Sequence, residues 1–383
     1  MKTILHISKY YYPDLGGIES VARFLAENLK DFNNEVVCFA TDKSQGINYI
    51  SGIPVHRVKV QMNIKSQDIA IGYNKKLKEL ISKCKPDIIV LHCPNPYLYP
   101  IVLNLINKDT KLVVLWHSDI LAKGMFYRLI KPFETKLLKR ADYIIATSEE
   151  YVKHSSVISP YSQKVIVLQN TVNTSMFEKR KEDEKKIRNI KKKYQDKKIV
   201  FFVGRHIKYK GIDKLIEAEK FVNNDCVFVI AGSGVLTEEL KSQANGRERI
   251  YFVGRLSDDD LRCYLYASDI FAFSSIYKAE AFGVALAEAM YCGAVPVTFT
   301  IKGSGVNWVS LNGITGEEVP LNDVKAYAKA IDKLLEDDEL RKKYSLAAQE
   351  RINNMFNDTT VADSANQMFL TVASQDRWTG CHS

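Results

Sequence analysis

The 383 residues of this chain exceed what one hydrophobic core sustains and suit two domains of roughly 150–200 residues. Apolar residues at 46%, aromatics at 10% and charged residues at 26% exclude a disordered or fibrous chain. The 54 basic and 45 acidic side chains leave +9, a mild excess whose position matters more than its total.

Short β-rich runs alternate with amphipathic runs, the pattern of parallel sheets with crossover helices. In the first half the spacing predicts strands over 3–8, 35–41, 53–60, 86–92, 111–116, 142–147 and 164–168. A helix over 18–30 brings Val21, Phe24, Leu25 and Leu29 to one face. The pattern restarts with strands over 198–203, 226–231, 249–253, 269–273 and 294–299. From about residue 320 the chain reads as helix, ending in a frayed DRWTGCHS. Between the halves, residues 178–198 hold eleven basic and five acidic side chains, so a net +6 of the +9 lies there. That run suits a solvated helix and linker, or a contact with anionic lipid headgroups.

The seven cysteines (38, 84, 93, 226, 263, 292 and 381) form no C-x-x-C pair and sit mostly in apolar runs. Reduced, buried thiols in a reducing compartment are expected. The apolar run within MKTILHISKYYYP is too short for a signal peptide. No stretch approaches the roughly 20 apolar residues of a membrane span. A cytoplasmic location follows, with membrane contact at most peripheral.

Four motifs carry chemistry. The first strand runs into KYYYPDLGGIE, where Gly16 and Gly17 let the backbone approach an anion at a helix start. Asp42 ends the second strand, where a nicotinamide dinucleotide site has its acid, but the loop is not G-x-G-x-x-G. In VGRHIKYKGIDKLIEA, Arg205 and Lys210 fall in the loop after a first strand, two cations suited to a diphosphate. In SSIYKAEAFGVALAEAMYCGAVPVTF, Glu280 and Glu288 flank Phe282 and Gly283 at a helix start. Eight helical steps separate the carboxylates by about 12 Å. A glycosidase pair stands roughly 5–9.5 Å apart, so these two suit hydroxyls at two ends of one ligand. LVVLWHSDI ends a strand at His117, where a lone histidine can serve as a structural hydrogen bonder, with Asp119 placed to orient it.

The run from 274 to 299 resembles the E-x7-E element of the family-4 retaining glycosyltransferases, and the loops at Gly16–Gly17 and Arg205–Lys210 fall where that family has its own. The likeness spans roughly residues 3–355 and implies the GT-B fold: α/β, two doubly wound Rossmann-like domains facing across a cleft. It divides the chain into an acceptor-side domain over 1–170 and a nucleotide-sugar domain over 171–355. A C-terminal helix within 356–383 would pack back on the first. GSG at 303–305, GVNWV at 305–309 and NGITG at 312–316 resemble the subgroup that builds bacterial O-antigen and surface polysaccharide.

The resemblance implies a role for each site residue. Glu288 would accept from the ribose hydroxyls, while Glu280 and the backbone at Phe282 and Gly283 hold the donor sugar. Arg205 and Lys210 would stabilise the departing diphosphate, Gly16 and Gly17 would admit it, and His117 would lie beside the sugar, with Asp119 orienting it or touching acceptor hydroxyls. The implied partners are a UDP- or GDP-sugar donor and a polyprenyl-diphosphate-linked oligosaccharide acceptor, with transfer of mannose, glucose or galactose. The place is the inner face of the plasma membrane. No cofactor or metal is expected: Asp258-Asp259-Asp260 matches D-x-D, but after Ser257 it reads as a capped first helical turn.

The segment 123–142 adds a basic amphipathic helix, with Phe126, Ile130, Phe133 and Leu137 on one face among Arg128, Lys131, Lys136, Lys139 and Arg140. It is a core-packed helix or a peripheral membrane contact. Nucleic acid is excluded by the lack of a basic groove with interleaved aromatics. The rival classes are a dinucleotide-binding oxidoreductase and a non-catalytic sugar-nucleotide module. A glycoside phosphorylase would need a pyridoxal-bearing lysine that no segment offers.

Overall fold

Two sheets, each built almost wholly of parallel strands, organise the chain. The computed structural model describes residues 1–374 except Leu15, Gln45, Ile47, Lys65, Ser66, residues 121–124 and Ala279; the side chains of Lys43, Met125 and Phe126 are also left aside. The predicted frayed tail, Cys381 and the start of the basic helix lie outside the described residues. One unit comprises Met1–Gln169 with the chain from Val361 onward, and the other Asn170–Thr360.

In the first unit the strands are β1 (Lys2–Ile7), β2 (Phe32–Ala40), β3 (Tyr49–Ile50), β4 (Ile53–Lys59), β7 (Ile88–Cys93), β8 (Lys111–Trp116), β9 (Tyr143–Ala146) and β10 (Val165–Val167). They lie in the order β10-β9-β8-β7-β1-β2-β4-β3, and β3 is the antiparallel one. A separate hairpin pairs β5 (Met62–Ile64) with β6 (Gln67–Ile69). In the second unit β11 (Lys198–Val203), β12 (Cys226–Ala231), β13 (Ile250–Gly254), β14 (Ile270–Phe273), β15 (Val295–Phe299) and β16 (Glu317–Val319) give β13-β12-β11-β14-β15-β16. Both are doubly wound. The strand order reverses beside β1 in the first sheet and beside β11 in the second, and ligands of such sheets bind at the carboxyl edge there.

The core follows from burial on both faces. All six residues of β7 and all six of β12 are buried, so these strands read as unbroken apolar runs. On one face of the first sheet Ile4, Ile88, Val90, Val113 and Leu115 pack with Leu25 and Leu29 of the helix Gly17–Asn28. Val361, Ala365, Met368 and Phe369 of the C-terminal helix Asp358–Ser374 complete that cluster.

The charged run between the halves forms the helix Asp183–Lys193, which packs on the helix Asp258–Ala267 of its own unit. Asp183 is buried and takes two hydrogen bonds from Arg262, at 2.8 and 2.9 Å, which hold its carboxyl far below the usual range. Arg180 pairs with Asp259 and Lys186 with Asp260. Part of the +6 is thus answered by the acidic first turn of the neighbouring helix. Ser257 caps that turn by accepting from the Asp260 N–H.

The basic helix Met125–Arg140 differs from its predicted face. Glu134, Leu137 and Leu138 are buried, while Leu129 and Phe133 are 68% and 41% exposed. Leu137 turns inward as expected but Phe133 does not: Glu134 is buried next to it and accepts from the Tyr127 hydroxyl at 2.7 Å. No helix among the described residues is long and apolar enough to cross a membrane.

Candidate active site

The second unit assembles its site at the reversal between β11 and β14. The loop after β11 carries Arg205 and Lys210, and the loop after β14 carries Glu280. Gly211 makes the approach possible: its φ is +62°, and a Cβ there would stand 2.1 Å from the Ser274 carbonyl oxygen. Ser274 Oγ donates to the Lys210 carbonyl at 2.9 Å and the Ile276 N–H to the Tyr209 carbonyl at 2.9 Å. So stitched, the loops bring Lys210 Nζ onto Glu280 Oε2 as an ion pair, the two side chains only 12% and 13% exposed. Ser275 Oγ also donates to Glu280 Oε2, at 3.2 Å. Ser304 Oγ holds the Glu280 carbonyl from the loop after β15.

Arg205 is exposed. Among the described residues its guanidinium makes one hydrogen bond, to the Tyr209 hydroxyl at 3.3 Å, and pairs with no carboxylate. Gly283 has φ +87° and ends the loop, so that the helix Val284–Tyr291 starts immediately beyond it. Phe282 is buried edge-on against Phe356, their centroids 5.4 Å apart. This corrects the separation expected of the two glutamates. Glu280 precedes the helix, so the eight residues to Glu288 are not eight helical steps.

Glu288 lies in the helix, and its carboxyl has no hydrogen-bond partner among the described residues. Desolvation, reinforced by the charge of Asp258, pushes its carboxyl up to about 7. A partnerless, desolvated carboxyl is a strong acceptor for ligand hydroxyls.

The loop after β12 also reaches this edge. A Cβ on Gly232, whose φ is +115°, would stand 1.9 Å from the Gly204 carbonyl oxygen, and Arg255 Nε donates to Ser233 Oγ at 2.8 Å. Sequence reasoning passed over Gly232-Ser233-Gly234; a small-residue triplet directly after an apolar run was the available signal.

In the first unit the helix Gly17–Asn28 follows β1, capped by Gly16 in extended conformation. Glu19 curls back so that its Oε2 lies 2.3 Å from where a Gly16 Cβ would be. An anion approaching these N–H groups must therefore displace the Glu19 carboxylate.

His117 follows β8 and is 9% exposed; burial brings its pKa down to about 3. Its Nε2 meets His92 Nδ1 at 3.2 Å. Asp119, expected to orient it or to touch acceptor hydroxyls, commits one oxygen to other groups. One Asp119 oxygen accepts from Trp116 Nε1 at 3.0 Å, Tyr151 OH at 3.0 Å and Ser155 Oγ at 2.7 Å. The carboxylate is drawn to this cluster because buried hydroxyl and indole donors demand an acceptor. His92, buried within the apolar run of β7, escaped sequence reasoning.

Residues 15–176 match the model of Glycosyltransferase Family 4, and residues 183–351 that of Glycosyl transferases group 1. The D-rhamnosyltransferase WbpZ of Pseudomonas aeruginosa is 28% identical over 92% of this chain and 92% of its own. The O-antigen chain mannosyltransferase C of Escherichia coli is 28% identical over 96% of this chain and 98% of its own. Among solved structures, a sucrose-phosphate synthase from Thermosynechococcus elongatus gives a TM-score of 0.80 at 20% identity, covering 98% of this chain and all of its own. HepE of Anabaena in complex with UDP gives 0.78 at 20% identity, with the same coverage.

Proposed function

We propose that this chain, which belongs to the glycosyltransferases (Family 4 over its first half, group 1 over its second) and has the GT-B fold, transfers a hexose with retention of anomeric configuration. The donor is a UDP- or GDP-sugar and the acceptor a polyprenyl-diphosphate-linked oligosaccharide of bacterial O-antigen or surface polysaccharide. The observation that carries this reading is the Lys210–Glu280 pair at the strand reversal, together with an exposed Arg205 on the same loop as Lys210 and a Glu288 carboxyl without a partner on the helix that follows Glu280.

Each part has a task in that reaction. Glu288 accepts from the two ribose hydroxyls. Arg205 and Lys210 neutralise the diphosphate as the sugar–phosphate bond breaks through an oxocarbenium-like state. Lys210 transfers from Glu280 to the leaving phosphate, which frees Glu280 to accept from a sugar hydroxyl beside the Phe282–Gly283 backbone. His117 hydrogen-bonds the donor sugar, and the Gly16–Gly17 backbone receives diphosphate oxygens. The leaving phosphate oxygen takes the acceptor hydroxyl's proton on the face it leaves. With two cations on the diphosphate, the reaction needs no metal.

Incubation with a panel of UDP- and GDP-sugars and a polyprenyl-diphosphate oligosaccharide, read by mass spectrometry, tests this. One donor should be consumed, its nucleoside diphosphate released, and one hexose added to the acceptor. A deoxyhexose mass would correct the sugar. NADH binding without turnover of any donor would favour the oxidoreductase instead.

A lipid-linked acceptor calls for contact with the membrane. The helix Met125–Arg140 exposes Leu129 and Phe133 beside Arg128, Lys131, Lys136 and Lys139. Apolar side chains ringed by cations suit an anionic bilayer surface. Each basic residue near such a surface is worth about 1 kcal/mol, so Lys131→Glu, Lys136→Glu and Lys139→Glu together should weaken binding at least ~100-fold. Sedimentation with phosphatidylglycerol vesicles measures it. Unchanged pelleting would remove this helix from the reading, and wild type left in the supernatant would remove the membrane contact.

A further inference from the structure

A row of four polar side chains runs obliquely across the first sheet, from near the start of β2, through the ends of β1 and β7, to the residue just beyond β8. They are Asn34, His6, His92 and His117. The face they share is otherwise apolar. Ile4, Val90 and Leu115 each stand two residues before the imidazole on their own strand. His6 and His92 are buried completely or nearly so.

The row has a direction set at its far end. Asn34 Nδ2 donates to the carbonyls of Leu29 and Phe32, at 2.8 and 3.2 Å, so its Oδ1 must be an acceptor. The contact of His6 Nε2 with Asn34 Oδ1, at 3.1 Å, therefore puts the proton on Nε2 and leaves Nδ1 a bare lone pair. That Nδ1 is buried without a partner, and so is Nε2 of His92. The two nitrogens of an imidazole point away from each other. His6 spends Nε2 towards β2, so its Nδ1 turns towards β7. His92 spends Nδ1 towards His117, so its Nε2 turns towards β1. The His6 and His92 centroids lie 6.0 Å apart, against 5.5 Å for the hydrogen-bonded pair His92–His117.

We propose that Asn34, His6 and His92 are positioning residues that polarise this row, so that His117 donates Nε2–H to His92 Nδ1 and presents a bare Nδ1 as a hydrogen-bond acceptor. Each imidazole then carries its proton on Nε2, and His92 Nε2–H faces the His6 lone pair. The opposite sense would set two lone pairs against each other. The row keeps all three rings neutral, since burial lowers the pKa of each. His117 is thereby a neutral acceptor for a sugar hydroxyl. This consequence for catalysis rests on the donor-sugar role given to His117 above.

Long-range 1H–15N correlation on the full chain labelled at histidine reads the tautomers directly at neutral pH. His6, His92 and His117 should all be neutral with Nε2 protonated; Nδ1–H on His92 or His117 overturns the proposal. In the assay with the sugar nucleotide selected by the screen above, His92→Leu should lower kcat about tenfold, the worth of one buried hydrogen bond. His92→Asn, whose amide oxygen can stand in for Nδ1, should restore most of it. Equal losses in both variants at matched thermal midpoints, or an unchanged kcat in His92→Leu, overturn the positioning role. Full turnover in His117→Ala would instead refute the role of His117 in the reaction, and the tautomer spectrum would still decide the polarity of the row.

Discussion

Lys210→Ala should lower turnover by about 10²–10³-fold, as expected for removing a preorganised charge aimed at the leaving group. The donor KM should change far less, because Glu288 and Arg205 still hold the nucleotide. The variant has a second, separable effect. Glu280 keeps only the Ser275 hydroxyl on an oxygen that is largely shielded from water, and an ionised carboxylate stranded there costs about 1–3 kcal/mol. The double variant Lys210→Ala/Glu280→Gln removes the stranded charge while the amide can still bond a sugar hydroxyl. Its unfolding midpoint should return towards wild type while its turnover stays low. Recovery of turnover in the double variant would show that Lys210 merely neutralises Glu280, and its assignment to the diphosphate would fail.

The fold was legible where burial on both faces leaves an apolar run. Predicted strands at 111–116, 198–203 and 226–231 agree with β8, β11 and β12 to the residue. The strands that escaped are short, and several are polar: Tyr49–Ile50, Met62–Ile64, Gln67–Ile69 and Glu317–Val319. None has an apolar face long enough to set a period. The chemical residue types at the site were legible as motifs, but their partners were not. Lys210 and Glu280 are 70 residues apart, and His92 and His117 are 25 apart. Such pairs become visible only once strand order is known. Asp119 shows the same limit from the other side. Its nearness in sequence to His117 suggested a contact, yet the loop turns it onto Trp116, Tyr151 and Ser155.

Glu288→Gln should strengthen the fold and weaken donor binding, and the two effects should depend on pH differently. The folded carboxyl titrates near 7 against an ordinary 4.5, because burial disfavours its charge. Between those values the folded chain holds a proton that the unfolded chain has released. Raising the pH through this window therefore costs stability, and the full penalty is present above about 7. Linkage bounds it at roughly 3 kcal/mol. Urea unfolding of Glu288→Gln should accordingly show a gain over wild type at pH 8 that shrinks towards zero below about pH 4.5. Donor binding has the opposite sense. An ionised Glu288 accepts from two hydroxyls, so the wild-type donor KM should rise as pH falls below about 7, whereas Gln, which accepts poorly from a pair, should bind ~10–100-fold more weakly at every pH. A residue that lowers stability at working pH is retained for what it binds. If Glu288→Gln were no more stable at pH 8 and bound the donor as wild type does, the ribose would have to be held by some other group.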